Sequence, residues 1–411
     1  MTTTGTEPGS DPDAVDDRRS DDRPPDDDAV LAAAQVSAAT SLGGAPAGVK
    51  VRRSVDDRLV EVGLYVGSIL LALLLSAGLV MAVGGSPTAV FSALLDGSVR
   101  SPGAWGLTIT TMAPLLLVAG GTIVATRAGL VNIGQEGQVL VGAAFAAYLA
   151  VRLPGPGPVV LVAALVFAAV GGAVWAGIAA GMRAWRSVPE VLTTLLLTFV
   201  AFGLITYGLR QRWLIGDRDT SRQGRVNTGE QIPFDTRLPD LRIFGNAIDS
   251  GAIIALGVAA LLAWMMARTF LGARIDVVGL NRRAAQRFGI SEKPLSAMLL
   301  IGSGALAGVG GSVLLLGAAS GDRMTIGFSG NFGWEGLLVA LLARNRVLLA
   351  IPMAFVFAAL RTGSSFLAAT GVDRKMTDVV QALLVLALLL PPALMFIRDR
   401  RRAMAATGGG G

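Results

Sequence analysis

The 411-residue sequence is 53% hydrophobic and 16% charged, against the roughly 25% charge of a soluble globular chain, so it lacks the polar surface to cover itself in water. It has no cysteine and no histidine, which excludes disulfides, Cys/His zinc sites, thiol nucleophiles and Ser-His-Asp catalysis. No lysine follows a glycine, so a Gly-Lys-Ser/Thr phosphate loop is missing, and the arginines behind the net charge of +6 are scattered between apolar runs rather than clustered as nucleic acid would require.

Residues 1–49 are rich in Asp, Ala, Gly, Pro, Ser and Thr, with ten acids against three arginines in the first 28 positions. They read as a disordered acidic tail. The lack of an apolar stretch near its start predicts that this tail stays in the cytoplasm. A transmembrane domain is expected over 50–402, followed by a short flexible tail over 403–411.

From residue 59 the sequence is a series of apolar segments near 59–83, 108–125, 132–151, 158–181, 190–209, 250–267, 295–317, 332–343, 347–366 and 378–397. A helix needs about 20 apolar residues to cross a roughly 30 Å hydrocarbon core. All but the short 332–343 approach that length. They lack the alternation of barrel strands, so the fold class is all-α: a polytopic helical bundle of about ten segments. Arginine and lysine concentrate at 50–58, Arg127, Arg183, Arg186, 268–293, Arg344, Arg346 and 398–402. This asymmetry predicts cytoplasmic N- and C-termini in the cell membrane.

Asn132-Ile133-Gly134-Gln135-Glu136-Gly137 and Asn331-Phe332-Gly333-Trp334-Glu335-Gly336 share the pattern Asn-x-Gly-x-Glu-Gly at an offset of 199. At the same offset Leu115–Leu117 falls on Leu314–Leu316, and Glu190-Val191-Leu192-Thr193 resembles Asp378-Val379-Val380-Gln381 further on. In the predicted topology the two motifs enter the membrane from opposite sides, so segments two to five and seven to ten form an inverted repeat. Glycine-interrupted segments at matching positions of two halves point to a transport pathway. The short eighth segment fits a broken or re-entrant helix.

Carboxylates inside apolar segments are costly and usually functional. Glu136 and Glu335 therefore read either as lining a polar path, with Asn132, Gln135, Gln138 and Trp334 beside them, or as capping half-helices or pairing with an arginine such as Arg127. Thr193, Thr194 and Thr198 could offer hydroxyls to a polar solute, though back-bonding to helix carbonyls is their more ordinary role. Gly304 and Gly308 make a small-xxx-small packing motif. In the 268–294 loop, Asn281 is placed to N-cap a helix over Arg282–Phe288 and Gly289 to close it. Ala284, Ala285 and Phe288 are expected on one face, with Arg283 and Arg287 on the other. Such a basic amphipathic helix suits docking on a soluble partner.

Four stretches give a family resemblance: Ala128–Gln138, Val278–Ile290, Ser303–Gly311 and Gly333–Leu342. Over roughly 59–397 the sequence resembles the permease subunit of ATP-binding-cassette importers, in the branch of ribose, branched-chain amino acid and nucleoside permeases, and most closely the nucleoside or simple-sugar subgroup. It departs from that branch at Thr198-Phe199, at Ala343–Val347 and at Asp276. The resemblance implies a non-catalytic translocation subunit with no cofactor. Its implied partners are an ATPase with two nucleotide-binding domains, a second permease subunit and an extracellular solute-binding lipoprotein; no nucleic acid is involved. It places Asn132, Gln135, Glu136 and Glu335 near the path, and Gly279, Leu280, Asn281, Arg282, Arg283, Ala285, Arg287, Phe288 and Gly289 at the ATPase-coupling position. An ion-gradient-driven transporter, a ribose or branched-chain amino acid permease and a membrane scaffold are the alternatives.

Overall fold

The structure is a computed structural model and describes residues 55–82, 84–218, 228–243, 245–318 and 322–366, with scattered helical positions between 378 and 397. Apolar runs without a strand period become helices: α1 (Val55–Ala82), α2 (Pro87–Leu95), α3 (Ala104–Arg127), α4 (Gln135–Arg152), α5 (Gly157–Arg186), α6 (Glu190–Arg210) and α7 (Gly251–Arg268). After Thr269 come α8 (Phe270–Leu280), α9 (Arg282–Arg287), α10 (Glu292–Leu316), α11 (Phe332–Leu342) and α12 (Val347–Gly363). Among the described residues, α3, α5, α6, α7, α10 and the stretch Val347–Phe366 that contains α12 are each long and apolar enough to cross a membrane. Leu70–Ala82 and Pro87–Arg100 form a further pair bent by 116°. The protein is a multi-pass helical membrane protein.

Two segments differ from expectation. The 210–249 connection holds a β-hairpin in which β1 (Asp240–Ile243) pairs antiparallel with β2 (Asn246–Asp249); Gly245, at φ +79°, makes the tight turn between them. The 268–294 connection is mostly helical, because Thr269 accepts a bond from the Gly272 amide and so caps α8 ahead of α9. The expected segment over 378–397 lies largely outside the described residues.

The order of packing follows the repeat. The first helix of each half, α3 and α10, sits at the centre. Helix α3 packs on α11 and α12 of the second half, and α10 packs on α4 and α5 of the first. Each half thus completes its core with the other's leading helix. Helix α11, with 11 residues, is about 16 Å long, roughly half a membrane core.

Glycine brings α10 into backbone contact with its neighbours. A Cβ on Gly308 would stand 2.3 Å from the Ala168 carbonyl oxygen, and one on Gly172 would stand 2.1 Å from that of Gly304. A Cβ on Gly142 would lie 2.3 Å from Gly308 Cα, and one on Gly311 would lie 2.1 Å from the Val139 carbonyl. Lipid is as apolar as leucine, so close backbone approach rather than the hydrophobic effect holds such helices together. Replacing Gly308 with Leu should force α10 off α4 and α5 at a cost of about 1–3 kcal/mol or more. The expected readout is a lower thermal midpoint in detergent; an unchanged midpoint would contradict the packing described.

Candidate functional site

The first repeat motif begins where α3 stops. Gly129, at φ +73°, closes the helix, with its amide bonded to the Thr126 carbonyl (2.9 Å) and the Leu130 amide to that of Ala125 (3.1 Å). The chain then turns at Asn132, whose Oδ1 accepts the Gly134 amide at 3.0 Å. Asn132 Nδ2 donates to Gln138 Oε1 (2.9 Å) and to Ser303 Oγ on α10 (3.1 Å). Gln138 Nε2 returns a bond to Asn132 Oδ1 (3.1 Å). Gln135 Nε2 reaches the same Ser303 Oγ (2.8 Å) and Thr122 Oγ1 on α3 (3.0 Å). The Ile133 amide donates to Thr194 Oγ1 on α6 (3.2 Å). One buried polar network therefore joins α3, α4, α6 and α10. Asn132, Gln135, Glu136 and Gln138 are at most 1% exposed.

The two glutamates have protein partners. Glu136 accepts bonds from Ser329 Oγ and, at 2.7 Å, from the Gly333 amide. It thereby caps the first turn of α11 from α4, where the helix dipole favours a carboxylate. A Cβ on Gly333 would lie 2.3 Å from Glu136 Cα, so the two copies of Asn-x-Gly-x-Glu-Gly meet backbone to backbone. Glu335 pairs with Arg361 at 2.6 Å. Arg361 also donates to the Gly330 carbonyl (2.8 Å) and lies 3.9 Å over the Phe332 ring. Arg127 pairs not with a glutamate but with Asp276 (2.7 Å). Thr194 donates to the Glu190 carbonyl (2.7 Å), Thr193 to the same carbonyl (3.1 Å) and Thr198 to that of Thr194 (3.1 Å), so these hydroxyls are back-bonded. Trp334 is half-buried beside Glu335. Thr122, Ser303, Ser329 and Arg361 complete the cluster and were not singled out by the sequence. Arg361 carried a usable signal, being an arginine near the end of an apolar helix.

Helix α9 forms as its caps dictate. Asn281 Oδ1 accepts the Ala284 amide at 3.0 Å. Gly289 takes φ +74°, and the Ile290 amide closes back on the Ala285 carbonyl at 3.0 Å. The faces differ from expectation: Ala285 is buried, whereas Phe288 is 79% exposed beside exposed Arg283 and Arg287. Phe288 sits past the last helical residue, where the chain leaves the α9 face. Leu280 is exposed too, while a Cβ on Gly279 would stand 1.9 Å from the Arg127 carbonyl oxygen. Arg282 turns inward, with Nε 3.2 Å from Glu292 Oε1 and Nη2 3.2 Å from the Gly129 carbonyl.

Residues 105–389 match the family model described as branched-chain amino acid transport system, permease component. The chain belongs to this permease family. Among characterised relatives, the permease is 31% identical to the glucose ABC transporter permease TsgB13 of Haloferax volcanii, over 82% of this chain and 89% of that one. It is 27% identical to the nucleoside ABC transporter permease NupB of Lactococcus lactis, over 83% and 94% of the two chains. It is 29% identical to the guanosine ABC transporter permease NupP of Bacillus subtilis, over 82% and 96%.

At the end of the permease remote from α9, the long connection after α6 is laced to the segment after α10. Arg323 pairs with Asp217 (3.0 Å), Arg237 with Asp322, and the Leu238 amide bonds the Leu316 carbonyl (2.9 Å). Asp249 is the buried member: its Oδ2 accepts the Ala318 amide (3.3 Å) and its own amide donates to Thr110 on α3 (3.2 Å). Burial, with a smaller push from Asp240, raises its pKa from 3.8 to about 6. The folded state thus holds a proton that the unfolded chain releases, so the contribution of Asp249 to stability is largest below pH 3.8 and is lost, by about 3 kcal/mol, as pH rises through about 6. Asp249→Asn should flatten the thermal midpoint between pH 4 and pH 6 relative to the unaltered protein. An identical pH slope in both would contradict the assignment.

Proposed function

We propose that this protein is the non-catalytic translocation subunit of an importer for nucleosides or related sugar-containing solutes, driven by ATP hydrolysis on a separate ATPase. The observation that carries this reading is α9: a capped helix that presents Phe288, Arg283 and Arg287 outward while Arg282 and Ala285 fix it to the body. An aromatic anchor flanked by cations suits a soluble partner with an apolar pocket and an acidic rim. The ATPase, carrying two nucleotide-binding domains, docks there from the cytoplasm. A second permease subunit completes the path, and an extracellular lipoprotein receptor delivers the solute. The solutes for which these relatives are named, glucose, nucleosides and guanosine, favour the nucleoside or sugar class over amino acids.

The solute passes where the two repeat motifs meet, beside Asn132, Gln135, Glu136 and Gln138 on one side and Trp334 and Glu335 on the other, with Thr193 and Thr194 behind the first. Opening the path means breaking the bonds of Asn132 and Gln135 to Ser303.

The test is uptake of labelled uridine and adenosine into cells with and without this chain, with excess ribose or leucine, and with an uncoupler that preserves ATP. The reading predicts uptake that requires the chain, survives the uncoupler and is not competed by ribose or leucine. It also predicts that Arg283→Glu with Arg287→Glu abolishes uptake while the permease still reaches the membrane. Uptake that collapses with the gradient, or persists in the double variant, would contradict it.

A further inference from the structure

We propose that Arg282 is the positioning residue that passes movement of α9 to the Asn132–Gln138 turn. This rests on the reading that an ATPase docks on α9. Its neighbours Arg283 and Arg287 face outward, but the Arg282 side chain reaches the other way and holds two groups at once. One is Glu292 at the start of α10, 3.2 Å away. The other is the Gly129 carbonyl, also at 3.2 Å, on the turn that ends α3. The guanidinium fork is suited to this, because it presents several donors in a fixed plane.

Both contacts lead to the polar network. Gly129 lies three residues before Asn132, and the intervening Leu130 is fully buried. Asn132 and Gln135 then bind Ser303, which lies on the same helix as Glu292. Glu292 also meets Arg183 at the end of α5 (3.4 Å), and Arg183 holds Glu190 at the start of α6. The segment has no slack, since the Gly279 backbone already touches the Arg127 carbonyl and Asp276 is paired to Arg127. A push on α9 therefore loads the 129–138 turn and the base of α10 together. These are the two sides of the Asn132–Ser303 and Gln135–Ser303 bonds. Packed elements with discrete arrangements transmit such displacements rather than absorbing them.

The test uses the complete permease–ATPase complex and a reporter in the turn. The protein has no cysteine of its own, so Ile133→Cys provides a single thiol on a half-buried position. Its maleimide-labelling rate is measured before and after trapping the complex with ATP and vanadate. In the otherwise unaltered chain, trapping should change the rate about fivefold or more. Arg282→Gln and Glu292→Gln should each erase that change, with the amount of co-purified ATPase measured in the same preparation. Arg282→Lys, which keeps the charge but loses the fork that reaches both groups, should recover only part of the response. An unchanged response in Arg282→Gln would overturn the proposal. So would loss of ATPase co-purification or of thermal stability in step with the response, since Arg282 would then serve docking or folding alone. If the ATPase fails to co-purify with the otherwise unaltered chain, the docking reading itself falls, and that result is visible before any Arg282 variant is compared.

Discussion

Backbone contact between α10 and its neighbours is the constraint on which the rest of the structure depends. Gly304 and Gly308 let α10 lie against α5, and Gly311 lets it lie against α4. This sets the depth of Ser303, one residue before the first of those glycines. Ser303 Oγ then falls between Asn132 Nδ2 and Gln135 Nε2. A larger residue at any of these glycines would shift α10 and deprive each of two buried amides of one of its two acceptors. Leaving such groups unmade costs about 1–3 kcal/mol each.

The two kinds of contact are suited to different tasks. Glycine packing is steep: a few tenths of an ångström decide whether it holds. The hydrogen bonds across the network are worth about 0.6 kcal/mol each in a membrane protein, so a partner's displacement can exchange them. The rigid seam and the breakable one share α10, and α10 begins at Glu292, next to α9. Glu136 and Glu335 belong to the rigid part in this state. One caps the half-helix α11 and the other holds it to α12 through Arg361.

Much of this was legible in the sequence, and for local reasons. Asn281 and Gly289 marked α9 because capping chemistry needs only neighbouring residues. The Asn-x-Gly-x-Glu-Gly repeat marked the starts of α4 and α11. The leucine triplets at the same offset were less informative: Leu115–Leu117 lies mid-helix in α3, whereas Leu314–Leu316 ends α10. What the sequence could not supply was pairing across distance. That Glu136 faces Ser329 depends on how the two halves meet, and that Arg361 rather than Arg127 reaches a glutamate depends on how α11 and α12 pack. The β-hairpin was missed because its strands of four residues are too short to show a period.

The central claim is that a partner's ATP hydrolysis, acting through α9, drives solute across this bundle. Its most direct test is accumulation of labelled uridine in proteoliposomes that hold the purified permease, its second subunit and the ATPase, with receptor on the opposite side and no ion gradient. The account predicts accumulation that begins when ATP is supplied on the ATPase side and stops when it is exhausted. Accumulation that ignores ATP and follows an imposed proton or sodium gradient would contradict it.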